Sequence, residues 1–217
     1  MITMKKMFRR MALVGAAAGV LAACAQDKGP APILSVAKTN CLTELSLASA
    51  KPLTLSAEET VPLELLVSSA SPCLETSEGV RSLFELVQLP QHAEPFSVRM
   101  AAVPSSSGLF APQLTLLDAD GLPVRQIPEE KFLFRGPKLT ASTMIAADEK
   151  YLLIASNPEV VGDRSQRTSS VINQYQSGGP IYFTVRTGSE FTKSVTYSHG
   201  GNITVTARIV DTSLDAK

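Results

Sequence analysis

The sequence contains no tryptophan, two histidines and three cysteines, and each scarcity narrows what the chain can do. General acid–base chemistry draws on histidine more than on any other side chain. Here the only imidazoles are His92, in Pro90-Gln91-His92-Ala93-Glu94-Pro95, and His199, in Tyr197-Ser198-His199-Gly200-Gly201. Both stretches are turn-like, and each histidine reads as a surface-turn residue, His199 at a hairpin tip. Ser105-Ser106-Ser107-Gly108 has neither a Gly-x-Ser-x-Gly elbow nor an orienting base, so it reads as polar loop. Asp118 and Asp120 before Gly121 resemble the opening of a calcium loop, but the later oxygen ligand and the bidentate glutamate are missing, and a plain β-turn fits. No catalytic set, metal site or cofactor motif emerges. The expectation is a protein that is not an enzyme.

Charge of one sign is also missing. The chain has 20 basic and 20 acidic residues, and charged residues make up only 18% against 44% hydrophobic, a balance that excludes wholesale disorder. Nothing clusters Lys and Arg as a nucleic-acid partner requires. The exception is the amino terminus, where Lys5, Lys6, Arg9 and Arg10 precede any acidic residue. Met11 to Ala23 then run without charge, too short for a membrane span of about 20 residues but suited to a secretory signal ending in small residues. Leu21-Ala22-Ala23-Cys24 looks like a bacterial lipobox, in which the Cys24 thiol receives a diacylglycerol before cleavage. Ala25 follows, not an aspartate of the kind associated with inner-membrane retention, so an outer-membrane anchor on the periplasmic side is expected. Removing 23 residues takes away four basic groups and leaves 16 basic against 20 acidic ones, a net charge of about −4. No second run of eighteen or more apolar residues occurs. The expected organisation is a signal peptide over 1–23, the lipidated cysteine and a flexible Pro/Gly-containing linker over 24–35, and one domain over 36–217.

With Cys24 committed to lipid, Cys41 and Cys73 remain in an oxidising compartment and are expected to form a structural disulfide. Fourteen prolines break most candidate helices, and short β-rich runs dominate. These are Thr60 to Ser68, Ser82 to Leu89, the alternating Phe96 to Ala101, Leu114 to Leu117, Leu122 to Val124, and the nearly continuous apolar Tyr151 to Ala155. Ile181 to Arg186 and Ile203 to Ile209 both alternate and are expected to pair with each other. The fold expected is all-β, an antiparallel β-sandwich or jelly roll. Leu42 to Ala50 reads either as a short helix or as an irregular lead-in. Asn157 to Pro180 reads as a long polar loop, with a short helix near Ser169 to Tyr175 as an option.

Segments of the body resemble the maltose-operon periplasmic protein (MalM-like) family. The likeness runs through Ser71-Pro72-Cys73-Leu74, Gly79-Val80-Arg81-Ser82-Leu83-Phe84 and Leu86-Val87-Gln88-Leu89-Pro90. It continues through Phe110-Ala111-Pro112-Gln113-Leu114, Leu116-Leu117-Asp118, Pro128 with Phe132-Leu133-Phe134, and Tyr151-Leu152-Leu153-Ile154. In order, these cover roughly residues 60 to 210. The chain departs from that pattern in having the lipobox, the Cys41/Cys73 pair and no tryptophan. The resemblance implies a role in carbohydrate uptake and supplies no catalytic residues.

Sugar sites usually present an aromatic face. The candidates are Tyr151, Tyr175, Tyr182, Tyr197, Phe132 and Phe134. Tyr151, Tyr182 and the phenylalanines sit in strand-like runs where core packing is the default. Tyr175, with Arg164 and Arg167 in the same polar stretch, is the expected exposed ligand-binding set. Two readings follow, with no cofactor in either. One is weak oligosaccharide binding, or contact with an envelope transport component, by an anchored lipoprotein. The alternative is an envelope assembly protein acting by protein contacts alone.

Overall fold

Where hydrophobic and polar residues alternate, a strand forms with one face buried. The clearest case is β5 (Phe96–Val103), in which Phe96, Val98, Met100 and Ala102 are buried and the residues between them are not. The computed structural model describes residues 31–55, 61–105, 108–176 and 184–210, and only the backbone of 167–176 and 184–193. Cys24, Ser106, Ser107 and Tyr182 therefore lie outside the described residues, as do the other members of 177–183. Among those described, no helix is long and apolar enough to cross a membrane.

Two sheets face each other. The first joins β1 (Lys51–Pro52), β4 (Arg81–Gln88), β11 (Tyr151–Ser156), β7 (Pro112–Leu117) and β8 (Pro123–Gln126) in that spatial order, with β3 (Cys73–Glu75) also against β4. The second runs β2 (Leu63–Val67), β14 (Gly201–Ile209), β5, β10 (Lys138–Met144) and β9 (Leu133–Arg135). Leu83, Val87, Leu116, Leu152 and Ile154 of the first sheet meet Val67, Val98, Met100, Ile203 and Val205 of the second in one continuous core. The all-β sandwich follows from period-two burial on both inner faces. Among the described strands, all pairings are antiparallel except β1 with β4 and β13 (Thr184–Ser198) with β6 (Gly108–Phe110).

Strand β11 reads as nearly continuous apolar sequence because both of its faces are covered. On the outer face, Phe84, Leu86, Leu117, Leu153 and Ala155 form a second cluster, capped by Leu45, Leu47 and Ala50. Of the two readings of Leu42 to Ala50, the irregular lead-in is the closer, with a single 3₁₀ turn at Leu47–Ser49. Cys41 and Cys73 are joined, Cα to Cα 4.7 Å. Beside the disulfide, the Leu42 N–H donates to Cys73 O (2.8 Å) and the Glu75 N–H to Leu42 O (2.9 Å). The disulfide thus holds a strap across the outer face of the first sheet.

Two expectations about the carboxyl-terminal part need correction. Residues 164–176 are strand β12 (Arg164–Gln176), not a loop or a helix. β12 pairs antiparallel with β13 through thirteen positions, from Arg164 opposite Thr196 to Gln176 opposite Thr184. Thr168, Val171, Ile172 and Tyr175 favour extended backbone, and the polarity of this stretch belongs to a ribbon attached at its base to β6, not to a loop. The 203–209 strand, in turn, pairs with β2 and β5 instead of with the chain near 181–186. Alternation shows that a strand has a buried face but does not name its partner.

The start of the domain is also well tied. Ile33, within the stretch read as linker, donates its N–H to Ser198 Oγ (2.8 Å), and its carbonyl accepts the His199 N–H (2.8 Å). The chain passes so close that a Cβ on Gly200 would stand 2.6 Å from Ile33 Cδ1 and 2.9 Å from Val67 O, so only glycine fits there.

Candidate ligand-binding groove

Two clefts adjoin at one end of the sandwich and share Glu129 and Asn157. Pro128 ends the straight run after β8, and a 3₁₀ turn at Glu129–Lys131 carries the chain across to β9. That crossing sets Glu129 at the junction of the clefts and Phe132 and Phe134 along the wall of the first. Asn157 follows β11 directly. Its N–H donates to Ala111 O (2.7 Å), its Nδ2 to Glu129 Oε1 (3.3 Å), and its Oδ1 accepts the Glu159 N–H (3.0 Å). The amide is buried and held at both ends, with one N–H and one oxygen lone pair still open, so the junction is preorganised.

The first cleft, of about 200 Å³, is walled by Phe132, Phe134, Tyr197, Leu139 and Val160. All three aromatics are half-buried and pack against the core. The second, about 570 Å³, is polar, with Gln113, Gln126, Ser82, Thr76, Ser77, Glu78 and Glu159 around it. An apolar aromatic wall running into amides, hydroxyls and carboxylates suits a ligand with an apolar face and a hydroxylated rim.

Glu78, Glu129 and Glu159 are all exposed, whereas a glycosidic general acid is a carboxyl kept protonated in a dry pocket. Among the described residues, no three His, Cys, Asp or Glu side chains are placed to hold one metal ion.

Ser156 and His199 do have the spacing of a nucleophile and its base, with Oγ 2.7 Å from Nδ1. Yet Ser156 is 0% exposed and His199 5%, and neither lines either of the two adjoining clefts. Ser156 Oγ also accepts the Leu83 N–H at 3.0 Å. The pair ties the end of β11 to β4 and to the β13–β14 junction. Burial pushes the His199 imidazole below its ordinary value of 6.5. The expected surface position of His199 is thus overturned, because the chain at Ile33 covers the β13–β14 junction. His92 is exposed in its loop, where Nδ1 accepts the Glu94 N–H. Asp118 behaves as a turn residue, its Oδ1 accepting the N–H groups of Asp120 and Leu122 (2.9 Å each), with Gly121 at φ +82°.

The expected binding residues distribute unevenly. Arg164 is exposed at the base of β12 and lines neither cleft. Arg167 and Tyr175 have their backbones in β12, but their side chains lie outside the described residues, as does Cys24. Tyr151 packs against the outer cluster. The aromatics assembled at the cleft are Phe132, Phe134 and Tyr197, two of which sequence reasoning assigned to the core. The local signal was Phe132-Leu133-Phe134, whose period puts both rings on one side of an edge strand. It marks a shared face without showing that the face opens onto a cleft. No family model, curated protein or solved structure matches the chain.

Proposed function

We propose that this protein is a non-enzymatic lipoprotein of the bacterial envelope, anchored through Cys24 to the periplasmic side of the outer membrane. In this reading it binds oligosaccharides weakly, in support of carbohydrate uptake. The observation that carries it is the groove. Phe132, Phe134 and Tyr197 present ring surface beside Gln113, Gln126 and the fixed amide of Asn157. Sugars offer complementary chemistry, with C–H faces for the rings and hydroxyls for the amides. The MalM-like resemblance supports the same reading.

The test is a thermal melt of the full chain in mild detergent against maltodextrins and other neutral oligosaccharides. Ligand at a hundred times its Kd stabilises by about 2.7 kcal/mol, which for a domain of this size raises Tm by several degrees. A dose-dependent rise that Phe132→Leu and a Gln113→Ala/Gln126→Ala pair both weaken supports the reading. No rise at millimolar sugar removes it.

The second reading, envelope assembly by protein contacts, is favoured by β8. All four of its residues are exposed on a sheet edge, next to exposed Leu122 and with exposed Val124 within it. Such an edge can accept a strand from a partner. Crosslinking in intact cells from a photoreactive residue at position 124 tests that reading.

A further inference from the structure

Among the described residues, the polar half of the groove has charge of one sign only. Glu78, Glu129 and Glu159 line it, and no described lysine or arginine lines either cleft. Two cations beside lining residues in sequence are already engaged, while Lys131, in the 3₁₀ turn that carries Glu129, lines neither cleft. Arg81 is held by Glu75 (2.9 Å), and Arg125 by Glu149. Among the described residues, none of the three groove carboxylates has an ion-pair partner of its own. They are also too dispersed for any three acidic groups to share a metal ion. Separated, unpaired carboxylates beside an aromatic wall fit an extended ligand bearing several separate cationic groups, and they repel anions. A ring surface adds cation–π attraction for an ammonium group near it.

Resting on the saccharide reading above, we infer that the groove selects oligosaccharides carrying free amino groups, such as deacetylated amino-sugar oligomers, over neutral or anionic ones. The amines meet Glu78, Glu129 and Glu159 while the sugar faces lie along Phe132 and Tyr197. Each exposed pair contributes modestly, so several together amount to about a tenfold preference at low salt.

The experiment is titration calorimetry of the full chain in mild detergent at pH 6 with three probes: a glucosamine tetramer, its fully N-acetylated counterpart, and maltotetraose. The expected result is about tenfold tighter binding of the free-amine tetramer at low salt, with most of that advantage lost at about 0.5 M salt. A Glu78→Gln/Glu159→Gln double variant is expected to bring the ratio of free-amine to acetylated affinity toward one. Both side chains are exposed, so this variant keeps its fold. Equal affinity for all three probes in the native chain overturns the amine selectivity and leaves saccharide binding standing. A preference that survives the double variant overturns its assignment to these carboxylates. Absence of binding by every tetramer overturns both this inference and the reading beneath it.

Discussion

A histidine that leaves water for a serine hydroxyl makes stability depend on pH. The pKa of His199 is lowered in the fold, chiefly by burial. Above the unfolded value of about 6.5 both states are neutral, and the native contacts are present without a proton penalty. As pH falls below that value, the unfolded chain takes up a proton that the fold resists. Stability is lost progressively toward the lowered native pKa. Urea midpoints are therefore expected to fall as pH drops below about 6.5 in the native protein, and to fall less in His199→Gln. Matching slopes for the two proteins would remove His199 as the source. Glu149 makes a different demand. Its side chain has no exposure, and its carboxylate accepts from Arg125 Nε (2.5 Å) and Nη2 (3.2 Å) and from the Ala146 N–H (2.8 Å). Arg125→Ala strands a buried charge and is expected to cost about 3–5 kcal/mol in chemical denaturation. Lys51→Ala is expected to cost less, because Glu85 keeps the Ser71 hydroxyl at 3.1 Å.

At the scale of elements, the strap over the first sheet matters most. Without Leu45, Leu47 and Ala50 in place, Phe84 and Leu153 would face water on a sheet whose other side is already core. The disulfide that holds the strap spans 32 residues. Its reduction, or Cys41→Ser/Cys73→Ser, is expected to lower stability by about 3–4 kcal/mol, seen as a lower denaturant midpoint. Phe84→Ala, beneath the strap, is expected to cost about 3–5 kcal/mol, while Leu66→Ser on the exposed face of β2 should change little. Most individual strands were legible, because the alternation of Phe96 to Ala101 and the continuous apolar run of Tyr151 to Ala155 are local patterns with local causes. The pairing of β12 with β13 was not. A polar strand whose stabilising contacts lie mostly with a neighbouring ribbon strand resembles a loop in composition, and only its partner's register distinguishes the two.

For the whole molecule, the proposed anchor and the groove can be tested apart. If Cys24 carries lipid, the native chain partitions into detergent when a detergent solution is warmed to phase separation, and Cys24→Ser moves it to the aqueous phase. Saccharide binding by the groove is expected to survive that change, since the described residues that wall the clefts all follow β3. Loss of binding along with the anchor would mean that the groove is not the site.

Strand content, the buried faces of individual strands and the Cys41–Cys73 pairing follow from the chain read alone. Alternation, turn residues and an even count of exported thiols act over short distances or by elimination. The groove, the strap and the burial of His199 required the folded molecule. Glu129 and Asn157 stand 28 residues apart in sequence, and Ile33 and Ser198 are 165 apart. No local pattern in either neighbourhood refers to the other. Which side chains share a cleft is set when two sheets close over one core and the connections between them are forced across its open end.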